Sequence, residues 1–478
     1  MSYSCPKGHE YVCCANAFPC LARKYLSRYR EAMQHNNQQP RAERSTAVVS
    51  QLLPDGGLVE LLYDKNTGRT RFARHHDGVS EYIEQFAGRD GRTCVPVSPK
   101  NNLIRHDVLL LPECATPFGS CEELVHDIMA YIDRYLDLSE DFRAIATAYI
   151  LLSWVYDAFN ELPYLRFRGD FGSGKTRALL VVGSICYKPF FASGASTVSP
   201  IFYTLDTFGA TLIADETDFR FSDERAELVK IFNNGNVRGF PVLRSAVTPQ
   251  QTFDPRAFNV FGPKIVAMRN SFDDPALESR FLTEDMGKRP LRADIPINLP
   301  DVQRAEATLL RNKLLHYRFT TRHTATIDAA GYDARLSPRL NQIMAPLLAV
   351  AEGTTLRAAI MRGATKTEDA IRAQRSGTSE ALVLEVLCVL WKATNHEYLT
   401  VAAITDAFIA RYGSEFVRPI TPRYIGQILR TRLRLYTYKR HGIFVLPLNQ
   451  EAHLLQLAAR YAVSMDGGIS ESTTDIHR

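Results

Sequence analysis

The sequence predicts an α/β core built on a mostly parallel sheet. A small N-terminal α+β region precedes it, and a C-terminal unit of three helices and a hairpin follows. Three observations predict this. Between about residues 163 and 290, short apolar runs alternate with helical stretches, the pattern of strands joined by crossover helices. One of those runs, YLRFR, feeds a glycine-rich turn and then a helix. Beyond residue 378, capping residues and apolar spacing mark three helices and two strands.

Composition sets the class. A chain of 478 residues is long enough for two or three domains. Its 45% hydrophobic and 23% charged content is that of an ordinary globular protein. The longest apolar run, AIATAYILLSWVY from Ala144, falls short of the roughly 20 residues that span a bilayer. The polar start MSYSCPKGHE has no export-signal pattern, so a cytoplasmic protein without membrane association is expected. The net charge of +5 admits a polyanionic partner without demanding one.

Nine cysteines, an odd number without an export signal, point to reduced thiols. The cluster Cys5, His9, Cys13, Cys14 and Cys20 is the exception in spacing. Cys5, His9, Cys13 and Cys20 either enclose a tetrahedral zinc ion or remain loose thiols, and they match no paired CxxC knuckle.

Residues 1–119 form the N-terminal region. Short strands are expected in STAVVSQLL, LVELLYDKNTGRTRFARH and HDVLLLP, around turns at Asp55-Gly56 and Asn66-Thr67-Gly68. At Ser120 the period becomes helical, and Ser120 with Glu123 makes a capping box. A second helix, EDFRAIATAYILLSWVYDAF, ends ahead of Pro163. The core is expected over 120–363, a polar linker over 364–377, the C-terminal unit over 378–463 and a loose tail over 464–478.

Within the core, Gly169, Asp170, Phe171, Gly172, Ser173, Gly174, Lys175 and Thr176 fit the pattern GxxxxGK[ST] between strand and helix. Glycines let backbone N–H groups curl around a β-phosphate, and the helix N-terminus adds a favourable dipole. Lys175 then reaches the β- and γ-oxygens, and the Thr176 hydroxyl ligates magnesium. About forty residues on, the apolar strand of GATLIADETD ends in Asp215 and Glu216. Asp215 is expected to hold magnesium, directly or through water, and Glu216 to polarise the attacking water as general base. The strand of GPKIVAMRNSF ends near Asn270, either a water-orienting amide or a turn residue. In DDPALESRFLTEDM, Arg280 directly precedes a strand. It reads equally as a surface ion pair or as an arginine that completes a neighbour's active site.

With those residues in view, the chain resembles the AAA+ ATPases, and within them the minichromosome maintenance type of replicative helicase. The resemblance covers roughly residues 140–350 and rests on GDFGSGKT, ADETD, Asn270, ESRF and RLSPRLNQIMAPLLAVAE. In that last stretch Arg339 falls where the family carries its sensor-2 arginine. Order and spacing are similar to the forms carried by bacterial mobile elements. The resemblance implies an AAA+ P-loop ATPase core in a hexameric ring, with ATP and magnesium at subunit boundaries and DNA in the channel. The chain departs from the family in its GKT ending, in the short span from Tyr187 to Ala210, and in its small N-terminal region.

Two segments are candidates for DNA contact. VRGFPVLR and AFNVFG read as the arms of a hairpin. In the resembling family such hairpins touch the DNA backbone, so Arg238, Arg244 and Arg256 either bind phosphate or are solvated surface charges. The C-terminal unit reads as a winged-helix domain, with Arg423, Arg430 and Arg434 sharing the face of its third helix opposite Ile425 and Leu429. With Arg432, Lys439 and Arg440 nearby, this basic segment suits DNA, although winged helices also dock proteins. The function expected is an oligomeric motor that unwinds or moves along single-stranded or forked DNA in replication of a mobile element. The alternative is a nucleotide-switched DNA-binding initiator or regulator that does not unwind.

Overall fold

The computed structural model describes residues 45–464, apart from 89, 195, 216–221, 246–253, 273, 289–290, 328–331 and 417. Cys5, His9, Cys13, Cys20 and Glu216 lie outside the described residues, as does the tail from 465. The chain divides into two compact units, Met1–Asn101 and Asn102–Arg478.

The first unit holds two small sheets. Strands β2 (Ser50–Leu52), β3 (Leu58–Asp64), β4 (Arg69–His76) and β5 (Val79–Ile83) form an antiparallel meander. Its turns use the predicted chemistry: Asp55 accepts from the N–H of Gly57, and Asp64 accepts from the N–H groups of Asn66 and Thr67. Strands β1 (Thr46–Val48), β6 (Phe86–Ala87) and β7 (Thr93–Pro96) form the other sheet, in the order β1-β7-β6. Leu58, Val59, Leu61, Leu62, Phe72 and Ala73 are buried, which makes β3 and β4 the spine of this unit.

The stretch HDVLLLP, expected as a strand of the N-terminal region, makes only one isolated bridge, Leu109 to Phe190. Asn312 accepts from the N–H of Glu113 through its side chain and from that of Thr116 through its backbone. These contacts tie 102–119 to the second unit, ahead of the boundary expected at residue 119.

In the second unit, helix α1 (Cys121–Tyr135) opens on the Ser120–Glu123 capping box in full. Helix α2 (Glu140–Val155) is buried at every residue from Ala144 to Val155, as an all-round apolar helix requires. Tyr149 and Trp154 anchor it, donating to the carbonyls of Lys264 and Ile185 at 2.9 Å each.

The sheet consists of β8 (Tyr164–Arg168), β9 (Pro189–Ala192), β10 (Thr211–Ala214), β13 (Lys264–Met268) and β14 (Phe281–Asp285). All pairings are parallel, in the order β14-β8-β13-β10-β9. Its strands are near-continuous apolar runs because helices pack against it. Helix α3 (Lys175–Gly183) packs against it, and α4 (Val198–Phe208) and α5 (Ser222–Asn234) pack on one another. Between β10 and β13 a separate antiparallel pair forms, β11 (Val242–Arg244) with β12 (Arg256–Phe258), as the hairpin expectation requires. A short helical turn, α6 (Pro275–Glu278), leads into β14.

Helices α7 (Asp301–Thr321), α8 (Pro338–Val350) and α9 (Leu356–Ser376) follow and pack against α2. The stretch 364–377, expected as a linker, is therefore helical through Ser376. Its polar residues satisfy a helix face, with Glu368 accepting from Arg372 one turn on.

The last elements are α10 (Ser379–Ala393), β15 (Tyr398–Thr400), α11 (Val401–Tyr412) and α12 (Pro422–Gln427), which widens into a further turn over Ile428–Arg432. Strands β16 (Tyr438–Arg440) and β17 (Ile443–Pro447) and helix α13 (Glu451–Tyr461) complete them. Thr400 and Thr421 cap their helices through their hydroxyls, as the sequence predicts. Strand β15 joins the expected hairpin to give the antiparallel order β15-β17-β16. Val383, Leu387, Ile404, Phe408, Ile425, Leu429 and Leu446 form the core of this part.

Candidate nucleotide site

The loop Gly169–Gly174 lies at the C-terminal edge of the sheet, where ligands of parallel α/β sheets bind. Strand β8 delivers it, its residues Tyr164 to Phe167 fully buried. Two glycines are required by geometry. A Cβ on Gly169 would stand 2.7 Å from the Ser173 hydroxyl and 2.8 Å from the Met286 carbonyl. Gly174, at φ +90°, caps α3 in the left-handed region. The Lys175 ammonium donates to the carbonyls of Gly169 and Asp170 at 2.7 Å each, folding back over the loop. Ser173 Oγ is buried with no hydrogen-bond partner among the described residues. This cradle, with a lysine curled into it, fits a polyphosphate.

Across the loop, the Thr176 hydroxyl donates to Asp215 Oδ2 at 2.8 Å. A hydroxyl and a carboxylate in contact are the oxygen donors that a hard divalent cation takes. These two residues fit magnesium. Strand β13 lies between β8 and β10, so Asn270, just beyond its end and exposed, emerges between the phosphate loop and Asp215. Beside it, the Arg269 guanidinium sits 3.5 Å from the ring centroid of Phe171, which is 76% exposed at the tip of the loop. The sequence reading missed that contact, whose only signal was a cation next to Asn270.

Beneath the loop, Arg168 donates to Asp285 at 2.6 Å and to Ser271 at 2.7 Å. The Arg168 hydrogen bond foremost, and Lys288 after it, hold the Asp285 carboxyl at about 2.

Arg280 and Arg339 lie elsewhere. Strands β8 and β14 are parallel, with Phe281 opposite Tyr164 and Asp285 opposite Arg168. Arg280 therefore stands at the N-terminal edge of the sheet, and the phosphate loop leaves the opposite edge. Five residues of strand separate them by roughly 17 Å, more than an arginine side chain spans. Arg280 donates to the Asn233 side-chain oxygen, and its Nε is buried without a partner among the described residues. Arg339, near the start of α8, lies 3.7 Å from Glu161.

The two arginines share a cavity of about 430 Å³ with Asn233, Asn236 and Phe240. Burial, then the nearby Arg280 charge, lowers the Arg339 pKa. Asn236 is fully buried there, and neither its amide nitrogen nor its oxygen has a partner among the described residues. Two guanidiniums and an unpaired amide around one cavity can receive an anion, but not one held by the same chain's phosphate loop.

The hairpin arginines face the body of the protein. Arg238 donates to the carbonyls of Asp157 and Phe159 and covers the Phe261 ring. Arg244 pairs with Glu227 and lies over Phe202. Arg256 lies 3.4 Å from Asp206, over the rings of Tyr203 and Phe258. The sequence displays their charge but not these partners.

The C-terminal basic residues differ. Arg423, Arg430, Arg434, Lys439 and Arg440 are exposed and have no ion pair among the described residues, whereas Arg432 is tied to Glu380. Ile425 and Leu429, on the opposite face of the third helix from Arg423 and Arg430, are buried, whereas Arg434, expected on that helix, lies beyond its end at Arg432 with φ +53°.

Among the described residues, no group of three or more His, Cys, Asp or Glu is placed to hold a metal ion. No helix among them is long and apolar enough to cross a membrane.

No protein-family profile matches the chain, and no curated protein matches it. Among solved structures, it is similar to the apo C-terminal region of NrS-1, at 10% identity over 81% of this chain and 96% of that one, with a TM-score of 0.34. It is also similar to the ORC1 protein of Aeropyrum pernix in complex with DNA, at 12% identity over 70% and 96%, TM-score 0.21. A third likeness is to Cdc6p of Pyrobaculum aerophilum, at 12% identity over 70% and 97%, TM-score 0.18. Likenesses at these scores carry no argument, so function rests on the site itself.

Proposed function

We propose that this chain is an AAA+ ATPase of the minichromosome maintenance type, which hydrolyses ATP between copies of itself and uses the energy to unwind or move along DNA. The observation that carries this is the opposition of the two half-sites. The phosphate loop, Thr176 and Asp215 stand at one edge of the parallel sheet, and Arg280 and Arg339 stand at the other. Each half lacks what the other has, so two copies side by side make one complete site. Repeating that head-to-tail contact closes a ring, for which we propose a hexamer.

In that site the loop N–H groups and Lys175 bind the phosphates of ATP. Thr176 and Asp215 would hold magnesium, which would supply positive charge beside the phosphates. Glu216 takes a proton from the attacking water, and Asn270 orients that water. Arg280 and Arg339 of the adjacent copy stabilise charge developing on the transferred phosphoryl group. Arg238, Arg244 and Arg256 reach DNA phosphate only by exchanging their present carboxylate and carbonyl partners, which would couple DNA contact to movement of the hairpin. The C-terminal elements serve as a winged helix that contacts DNA through Arg423, Arg430, Arg434, Lys439 and Arg440. Work in replication of a mobile element, in the cytoplasm, completes the proposal.

The experiment is strand displacement on forked DNA, with Glu216→Gln as the control. ATP-dependent unwinding is expected from the wild type alone. Free ATP hydrolysis with no displacement on any fork, together with tight binding of one duplex sequence, would establish the nucleotide-switched regulator instead.

A further inference from the structure

The C-terminal unit displays an aromatic surface that its basic residues do not explain. Tyr436 is 64% exposed, in the short connection between the third helix and β16. An exposed tyrosine is ordinarily free to move, but this one is fixed in three ways. Leu433 and Leu435 on either side of Arg434 are buried, and their N–H groups donate to the carbonyls of Ile428 and Leu429. The Gln450 side chain closes on the Tyr436 backbone like a strand partner, accepting from its N–H at 2.8 Å and donating to its carbonyl at 3.0 Å. Tyr438 backs the ring, with centroids 6.0 Å apart and planes 20° from parallel.

Cations lie along the same segment. Between the two buried leucines, Arg434 is held outward at φ +53°, a left-handed conformation that costs a non-glycine residue energy and tends to persist where function needs it. Arg430 and Lys439 both lie against the Phe444 ring, at 4.9 and 5.2 Å, and Arg430 reaches the Thr437 hydroxyl at 3.4 Å. None of these three cations has a carboxylate partner among the described residues. A flat, pre-positioned ring beside an uncompensated cation is what a nucleobase and its flanking phosphate require. A duplex groove offers the cations phosphates but leaves the ring face unused.

From this we infer that Tyr436, backed by Tyr438, stacks an unpaired base of single-stranded nucleic acid while Arg434 holds the adjoining phosphate. The inference rests on the proposed DNA contact of this unit and goes further, to an unpaired strand and to a base.

The test uses the full-length chain without nucleotide, at fixed salt. The probes are labelled oligothymidylate of about 20 nucleotides and an abasic strand with the same number of phosphates. Tyr436→Ala is expected to weaken oligothymidylate binding about fivefold or more and to leave abasic binding unchanged. Arg434→Ala is expected to weaken both alike. In Tyr436→Trp, the added fluorescence is expected to be quenched by oligothymidylate and not by the abasic strand, a readout local to this site. If Tyr436→Ala weakens both strands equally or neither, while Arg434→Ala weakens both, base stacking is overturned and the phosphate contact stands. If neither variant changes binding to either strand, the DNA contact of this unit falls with it.

Discussion

Replacing Lys175 with alanine isolates the phosphate loop. The ammonium donates to two loop carbonyls at 2.7 Å, and it must release them to reach a nucleotide. The net gain on binding is therefore close to one charge-assisted hydrogen bond, about 1.5–3 kcal/mol, and not the sum of every phosphate contact. Lys175→Ala should then weaken ATP binding by about 10- to 150-fold. The thermal transition should hardly move, because the side chain spans only its own loop. Fluorescence anisotropy with a labelled ATP analogue in excess magnesium reads the affinity, and calorimetry reads the transition. Unchanged affinity with an intact fold would refute the assignment of this loop to phosphate.

Two further outcomes follow from the same region. Thr176→Ala removes one of the two oxygen donors in contact across the loop. It should cut the gain in ATP affinity that magnesium provides by about tenfold or more, while affinity in chelator stays the same, both read by titration. Asp285 is held at about 2, below its usual 3.8, chiefly by Arg168. A depressed carboxyl contributes stability that is present above its unfolded value of 3.8 and is lost as pH falls through about 2. Asp285→Asn should accordingly cost about 2 kcal/mol near pH 7, a difference that falls to a few tenths of a kcal/mol in denaturant melts at pH 2.

What could be read from the sequence was what lies close along the chain. The strand, glycine turn and helix at 164–183, the Ser120–Glu123 box and the threonine caps each depend on neighbours within a few residues. The meeting of Thr176 with Asp215 also followed, because both leave strands at the same sheet edge. The common cavity of Arg280 and Arg339 was not legible, since it depends on β14 running parallel to β8 and on where α8 packs. Nor were the partners of Arg238, Arg244 and Arg256, which come from elements 17 to 81 residues away. The helical run over 364–376 looked like a break because its exposed face is polar, but its buried face packs on α2.

The central claim is that one copy's phosphate loop works with the next copy's Arg280. Mixing two inactive variants, Lys175→Ala and Arg280→Ala, measures it directly through ATP turnover. Each alone should be inactive, and an equal mixture should regain about a quarter of the wild-type sites, those pairing an intact loop with an intact arginine. No recovery at any ratio, or full turnover by Arg280→Ala alone, would contradict it.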